Sequence, residues 1–147
     1  MPTYTVWSQP TTISAEAKGR IAECITTAHH EEALAPRFLV QVIFNEIAPG
    51  SHFIGGKPAP QGQVWVRADI RSGRTKAQKE KLLLRLTSEI ADILSIPATE
   101  MMVYLNDIPG ANMTEYGRLL MEPGEEDAWF AELPADLQEH LHKLEEA

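Results

Sequence analysis

The second residue of the chain is a proline, and an N-terminal proline can do chemistry that an internal one cannot. Met1 precedes Pro2, a small residue after which an initiator methionine is normally removed. Removal of Met1 would expose a secondary amine without amide resonance, whose proton moves near neutral pH. We therefore predict that Pro2 acts as an acid or a base, although a proline here is also typical of the start of an edge strand.

Three basic side chains are candidates for binding an anion. Arg71 and Arg74 lie between the end of a predicted strand and a helix that begins near Thr75. Two guanidinium groups this close repel each other unless an anion lies between them, and a carboxylate accepts paired hydrogen bonds from arginine. Paired with surface carboxylates, they would instead be ordinary solvated arginines. His29 falls one turn after Ile25 on a predicted helix, where it could bind a ligand or lie in the core.

Tyr104 and Glu115 add a phenol and a carboxylate that could assist proton transfer. Tyr104 lies in a predicted strand, at a position where a related segment earlier in the chain carries Ile43. A phenol in place of an aliphatic side chain indicates a site. Glu115 lies in a segment without clear periodicity, where an acidic side chain is also typical of a solvated loop.

Composition favours one folded domain that acts on small molecules. The chain has 147 residues, of which 44% are hydrophobic and 23% are charged, near the average for globular domains. A net charge of -8 disfavours binding to nucleic acid or to anionic membranes, and no apolar run is long enough to span a bilayer. The single cysteine, Cys24, excludes an internal disulfide and fits the cytoplasm. His29 with His30, and His140 with His142, lack the spacing of a helical metal pair, so we expect no metal.

The chain also carries an internal repeat. An offset of 61 residues places Ser14 on Thr75 with no gap through the following helix and strand. The segment VIFNEI at 42–47 then falls on VYLNDI at 103–108, with identical Val, Asn and Ile. The predicted organisation is one domain, 1–147, with repeats at about 2–47 and 63–108 and a tail at 109–147.

Each repeat reads as strand, helix, strand. The first helix begins after Ser14, a common N-cap residue, and the second after Thr75, where Gln78 has the spacing of a capping box. A helix that connects parallel neighbours forms a right-handed crossover, so two repeats give an α+β (α/β) fold with a four-stranded sheet and both helices on one face. The predicted strands are Thr3–Trp7, Phe38–Phe44, Val64–Ile70 and Met101–Leu105.

The other face of this sheet has no predicted cover within the chain. An open apolar face is usually buried against copies of the same chain, so we expect a homo-oligomer. Between the repeats, the segment 52–63 is rich in Gly and Pro and predicts a loop or hairpin. After them, residues 109–124 read as irregular chain, and one helix carrying Trp129 to Leu144 is expected to pack on the core or on a neighbour.

Together, the candidate residues resemble the functional set of the cis-3-chloroacrylic acid dehalogenase family, within the tautomerase superfamily. The start MPTY, the segment IRSGR at 70–74 and the run MTEYGRL at 113–119 also look like members of this family. The resemblance covers nearly the whole chain and implies the tautomerase (MIF-like) fold, assembled as a trimer. The residues that carry it are Pro2, His29, Arg71, Arg74, Tyr104 and Glu115.

The resemblance implies a reaction, without cofactor or metal, on a small unsaturated carboxylic acid such as a cis-3-haloacrylate or an acetylenic acid. The three basic side chains would hold the carboxylate. Tyr104 and Glu115 would activate water for attack at C3, while Pro2 delivers a proton to C2. The product would be malonate semialdehyde, which the same enzyme could decarboxylate to acetaldehyde.

The charge on Pro2 separates two kinds of enzyme. An ionised Glu115 close to Pro2 would raise the pKa of its amine and keep it protonated, as an acid suited to hydration. Arginines alone would lower that pKa and leave a neutral base, suited to a keto-enol tautomerase of the phenylpyruvate type. A third alternative is a non-catalytic oligomeric binding protein, for which retention of Met1 would be the simplest sign.

Overall fold

Four strands and two long helices form the centre of the molecule, with short hairpins and a helical tail around them. The structure is a computed structural model and describes residues 2–145. In chain order the elements are β1 (Thr3–Ser8), α1 (Ala15–Ala33), β2 (Gln41–Glu46), β3 (Phe53–Ile54), β4 (Lys57–Pro58), β5 (Val64–Arg71), α2 (Lys76–Leu94), β6 (Met101–Ile108), β7 (Thr114–Glu115), β8 (Arg118–Leu119), α3 (Glu126–Ala131) and α4 (Ala135–Glu145).

The central sheet joins two parallel pairs through one antiparallel contact. β1 runs parallel to β2, and β5 runs parallel to β6, each pair being connected by a long helix. β1 and β5 lie side by side and antiparallel, so the strand order is β2-β1-β5-β6. The predicted four-stranded sheet with strand-helix-strand connections is confirmed.

The two long helices begin and end in the same way. The Ser14 hydroxyl accepts a hydrogen bond from the Ala17 amide at 3.1 Å, and Thr75 with Gln78 forms a complete capping box. Both helices end at a residue in the left-handed conformation, Leu34 and Ser95, each with φ of 54°. A helix whose C-cap residue is left-handed turns the chain sharply, and here it directs the chain back towards the sheet.

The strand predicted at Phe38–Phe44 is wrong at its start. Residues Arg37–Leu39 form a single 3-10 turn, and β2 begins only at Gln41. Pro36 precedes the turn, whose Val40 amide donates to the Arg37 carbonyl at 3.0 Å. The β propensity of the residues from Phe38 onwards is overridden at this point, because the Phe38 ring packs against Phe130 of the tail instead of lying in the sheet.

One face of the sheet packs on both helices. Val64, Val66, Ala68 and Ile70 alternate along β5 and are almost fully buried, as the period of two for a strand requires. They lie against the apolar sides of the helices, which present Ile21, Ile25, Leu82, Leu86 and Ile90 to the core.

The opposite face carries aromatic and charged side chains, and within residues 2–145 it is only partly covered, by loop residues such as His52 and Phe53. Trp7 stacks on Trp65 at 6.4 Å between ring centroids, and Trp65 makes an edge contact with Tyr104 at 5.7 Å. The Trp65 indole N–H is buried yet has no acceptor among the described residues. Tyr104 and Met102 remain exposed on this face, and exposed apolar and aromatic side chains of this kind are typical of an interface.

The tail differs from the single helix that the sequence predicts. Pro134 separates α3 from α4, because proline disfavours the helical conformation of the residue before it. Both helices pack around Leu39, Leu120 and Met121 in a second apolar cluster.

The segment 109–124, expected to be irregular, contains the β7–β8 hairpin. None of the helices within residues 2–145 is long and apolar enough to cross a bilayer.

Candidate active site

Four of the six predicted site residues line one small cavity at the end of the sheet. Pro2, His29, Arg71 and Arg74 contribute to its wall, and Ala35, Pro36, Leu39, Leu120, Met121 and Glu126 complete it. About 10 Å³ is open between these side chains, the room of roughly one water molecule. A three-carbon acid does not fit this space unless the walls move.

Pro2 lies directly before β1, at the point where the parallel pair with β2 begins. Its carbonyl oxygen accepts a hydrogen bond from the Gln41 amide at 2.9 Å. Pro2 is buried, and this first hydrogen bond between β1 and β2 holds its backbone next to the cavity. The expected removal of Met1 lies outside the described residues.

His29 reaches the cavity from the end of α1 and is held there by Tyr4. The Tyr4 hydroxyl lies 2.7 Å from His29 Nδ1, and the two rings meet edge to face at 79°. Burial, followed by the positive charge of Arg74, lowers the pKa of His29 to about 3. His29 is therefore neutral at physiological pH.

Arg71 is the last residue of β5 and is only 7% exposed. Its Nη1 donates to the Met121 carbonyl at 2.9 Å, and its Nη2 donates to Glu126 Oε1 at 2.5 Å. Burial raises the pKa of Glu126, but the hydrogen bonds and charge of Arg71, with backbone donors, outweigh it and hold that pKa below its ordinary value. The guanidinium is thus neutralised by a carboxylate of the same chain.

Arg74 lies between β5 and α2 in the chain, and its side chain contacts the C-terminal end of α1. Its Nε donates to the Ala33 carbonyl at 3.2 Å, and its Nη1 donates to the Arg71 carbonyl at 3.2 Å. The end of a helix carries partial negative charge, which favours a cation at this place. Burial and the nearby charge of Arg71 lower the pKa of Arg74, although a guanidinium stays protonated in proteins. The cavity therefore contains two cationic groups, those of Arg71 and Arg74.

The turn between the two arginines requires a glycine. Gly73 has φ of +116°, and a Cβ atom built on it would lie 2.6 Å from Cγ of Pro123. Both the backbone conformation and the contact exclude a larger residue without a shift of one segment. The spacing of Arg71 and Arg74 around the cavity therefore depends on Gly73.

Glu115 lies on the short strand β7 and does not line the cavity. It is 8% exposed, and the hairpin that carries it continues directly into Leu120 and Met121 of the cavity wall. The two-residue turn of the hairpin has positive φ at Tyr116 (50°) and Gly117 (79°), as a type I′ turn requires. Glu115 is thus a buried carboxylate on a constrained hairpin, unlike the solvated loop residue that was the alternative.

Tyr104 also does not line the cavity. It lies on the partly covered face, 57% exposed, in edge contact with Trp65. Its register partner on β5 is Arg67, four residues before Arg71. Within a single chain, Tyr104 and the cavity are separate.

Two residues of the site are not evident from the sequence. Tyr4 lies 25 residues from His29 and Glu126 lies 55 residues from Arg71, so neither pairing has a local signal. The only available sign for Tyr4 is its place on the buried side of an alternating strand, where a hydroxyl needs a partner.

Metal ligation finds no support in the described part of the chain. Residues 2–145 contain no group of three or more His, Cys, Asp or Glu side chains able to hold an ion. The side chains that line the cavity offer guanidinium, imidazole and carboxyl groups.

The chain matches known proteins over most of its length. Residues 1–108 match the family model Tautomerase_3, described as "Putative oxalocrotonate tautomerase enzyme". The crystal structure of N1, a member of the cis-3-chloroacrylic acid dehalogenase family, is 52% identical, with a TM-score of 0.93 over 96% of this chain and 99% of that one. No curated protein matches the chain.

Two further structures are more distant. A wild-type fused 4-OT, solved as an asymmetric trimer, is 26% identical, with a TM-score of 0.74 over 80% of this chain and 94% of that one. A relative inactivated by 2-oxo-3-pentynoate is 27% identical, with a TM-score of 0.73 over the same shares, 80% and 94%. The family model and the extent of the match to N1 show that the chain belongs to the tautomerase superfamily, and within it to the cis-3-chloroacrylic acid dehalogenase family.

Proposed function

We propose that the protein is a cofactor-independent hydratase and dehalogenase of small unsaturated carboxylic acids, with Pro2 as its general acid. The observation that carries this proposal is the single cavity lined by Pro2, neutral His29 and the guanidinium groups of Arg71 and Arg74. The cationic and neutral donors around Pro2 fit an anionic substrate, and the negative charge of an ionised Glu115 would keep the Pro2 amine protonated as the acid.

The substrate carboxylate would bind to Arg71 and Arg74. Arginine donates paired hydrogen bonds to a carboxylate, and these bonds draw electron density from a conjugated double or triple bond. C3 then becomes electrophilic. Because Arg71 already contacts Glu126, an entering carboxylate would share or replace that partner.

Water would add at C3 with help from Glu115. The carboxylate of Glu115 would take one proton from water as the new C–O bond forms, and protonated Pro2 would give one proton to C2. After product release Glu115 loses its proton to solvent and Pro2 takes one up from solvent, which restores both groups. Propiolate thereby gives the enol of malonate semialdehyde, and a cis-3-haloacrylate gives a halohydrin that loses halide to form the same aldehyde.

Tyr104 would enter this mechanism from a neighbouring copy. Its place on the partly covered face, beside Trp7 and Trp65, puts it where another chain would pack. A fused 4-OT of the same fold forms a trimer. We therefore propose a homotrimer in which Tyr104 of one protomer orients the water in the site of the next.

Loss of carbon dioxide is a second step open to the same site. A fraction of Pro2 in the neutral form could condense with malonate semialdehyde, taking up one proton from solvent and releasing water, to give an iminium ion. The iminium would accept the electron pair of the breaking C–C bond. Hydrolysis of the resulting enamine gives acetaldehyde. Acetaldehyde and carbon dioxide would then accompany the first product.

The description of the matching family model favours a second candidate, a keto-enol tautomerase. In that reaction neutral Pro2 would move a proton between enol oxygen and carbon, without water activation. Glu115→Gln separates the two functions, because hydration needs the carboxylate and tautomerisation does not. Glu122→Gln, an exposed carboxylate two residues beyond Leu120, is the matched control.

The proposal is tested by proton NMR of the purified protein with propiolate, cis- and trans-3-chloroacrylate and phenylenolpyruvate in parallel. We expect malonate semialdehyde or acetaldehyde from propiolate and from the cis isomer, and intact mass should show that Met1 is absent. Turnover of phenylenolpyruvate alone would replace the proposal with the tautomerase. No turnover of any of the four, together with a retained Met1, would favour a binding protein.

A further inference from the structure

We propose that Tyr4 fixes His29 as a neutral histidine whose proton is on Nε2, so that His29 binds the substrate carboxylate as a neutral donor. This inference rests on the proposed function for the identity of the ligand. It adds Tyr4, which is outside the six predicted residues, as a positioning residue.

The contact between the two side chains is short and fully enclosed. The Tyr4 hydroxyl oxygen lies 2.7 Å from His29 Nδ1, which is hydrogen-bond distance. Tyr4 is 0% exposed and His29 is 1% exposed, so bulk water cannot replace either partner. The edge-to-face packing of the rings, at 5.7 Å between centroids, fixes the imidazole plane.

The direction of this hydrogen bond follows from the available partners. If Nδ1 carried the proton and donated to Tyr4, the hydroxyl hydrogen would need another acceptor. Among the described residues His29 is the only hydrogen-bond partner of that hydroxyl. A buried donor left without an acceptor is costly, so the hydroxyl donates and Nδ1 accepts.

The charges around His29 act in the same direction. Burial, and then the charge of Arg74, lower the pKa of His29 to about 3, which disfavours protonation of both nitrogens. Burial raises the pKa of Tyr4, which keeps the hydroxyl hydrogen in place. The adjacent residue on the helix, His30, points elsewhere and contacts the Ala35 carbonyl through its own Nδ1 at 2.8 Å.

A proton on Nε2 has two consequences at the cavity. Nε2 lies on the side of the ring away from Nδ1, so it is the nitrogen left for a ligand among the cavity residues, and it can only donate. His29 would then add a hydrogen bond to the carboxylate without a third positive charge beside Arg74. It would also be unable to protonate C2, which leaves Pro2 as the proton donor.

Nitrogen-15 NMR of the imidazole rings tests the tautomer directly, without any need for turnover. The His29 signals are assigned by their loss in His29→Gln. We expect wild-type protein to show a neutral ring protonated on Nε2 from pH 5 to 8, and Tyr4→Phe to shift the ring towards the Nδ1–H form. Tyr116→Phe, which removes a different, partly buried hydroxyl contact, should leave the tautomer unchanged.

Titration with propionate, an unreactive carboxylate, tests the binding role. Tyr4→Phe should weaken its binding about 3- to 10-fold, the effect of one neutral hydrogen bond, while Tyr116→Phe should not. A wild-type ring that is protonated on Nδ1 or doubly protonated at pH 7 would overturn the inference, even if Tyr4→Phe did not fold. An unchanged tautomer and unchanged propionate affinity in folded Tyr4→Phe would also overturn it. Failure of propiolate turnover alone would count against the proposed function and leave the tautomer result intact.

Discussion

Glu126 Oε1 lies 2.5 Å from Nη2 of Arg71, so a carboxylate of the chain itself already pairs with a guanidinium of the candidate site. Arg71 is 7% exposed, and Glu126 stands at the start of α3, 55 residues later in the chain. The pair links the tail to the end of β5. When a carboxylate substrate enters the site, the guanidinium of Arg71 would therefore already have a carboxylate partner, Glu126.

Glu126→Gln should lower the free energy of unfolding by about 1–2 kcal/mol, because a buried arginine loses its ionised partner. Propionate should restore more stability to this variant than to wild type, since it can supply the missing charge. Urea unfolding with and without propionate measures both effects. Asp127→Asn changes an exposed neighbouring acid and should behave as wild type. Equal stabilisation of Glu126→Gln and wild type by propionate would show that the ligand does not reach Arg71.

The buried neutral histidine should make the protein less stable in mild acid. In the unfolded chain His29 takes up a proton near pH 6.5, but in the folded chain only near its pKa of about 3. The unfolded state therefore binds more protons in this interval. Stability is complete above pH 6.5 and falls as the pH drops towards 3, by about 1.4 kcal/mol per unit at the steepest part.

His29→Gln should remove most of that slope between about pH 6.5 and 5, above most of the titration of carboxylates. Chemical denaturation at a series of pH values measures it. His140→Gln, which removes an exposed histidine, should keep the wild-type slope. The same slope in His29→Gln as in wild type would contradict the assignment of a neutral buried His29.

Gly73→Ala should disturb both arginines at once. The new methyl group would lie 2.6 Å from Cγ of Pro123 at a φ of +116°. We expect a loss of more than about 1 kcal/mol of stability and weaker propionate binding, because the strained turn separates the guanidinium groups. Gly19→Ala is the control: no atom lies within 4 Å of its Cβ position, and alanine favours the helix. Unchanged propionate affinity in Gly73→Ala would show that the turn does not set the arginine spacing.

Much of this fold is predictable because its signals lie between neighbouring residues and the strand-helix-strand unit occurs twice in the sequence. The N-caps at Ser14 and Thr75 and the alternation along β5 depend on neighbouring residues, and these features are where the structure agrees with the sequence. The strand expected from Phe38 fails because its aromatic ring packs on the tail, which a local pattern does not reveal.

The site divides in the same way. Pro2, His29, Arg71 and Arg74 share a cavity as the family resemblance implies. Their partners Tyr4 and Glu126 come from distant positions and become visible only when the chain is folded. Tyr104 stays apart from the cavity because a single chain leaves its face of the sheet only partly covered.

The partly covered sheet face should control assembly. Trp65→Glu places a charge between Trp7 and Tyr104 and should convert the oligomer into monomers in analytical ultracentrifugation. Hydration of propiolate should fall with it, because Tyr104 of a neighbour no longer reaches the site. Leu84→Glu alters an equally apolar side chain, 72% exposed on α2, and should leave both mass and rate unchanged. A monomeric wild type, or a fully active monomer of Trp65→Glu, would contradict the shared site.

The most direct measurement of the central claim is the rate of propiolate hydration by Pro2→Ala compared with wild type, followed by proton NMR at neutral pH. Alanine also permits removal of Met1, so the variant keeps an N-terminal amine but loses the secondary amine and its ring. If Pro2 is the general acid, the rate should fall by about 100-fold or more while propionate still binds to Arg71 and Arg74. A wild-type rate in Pro2→Ala would show that another group protonates C2.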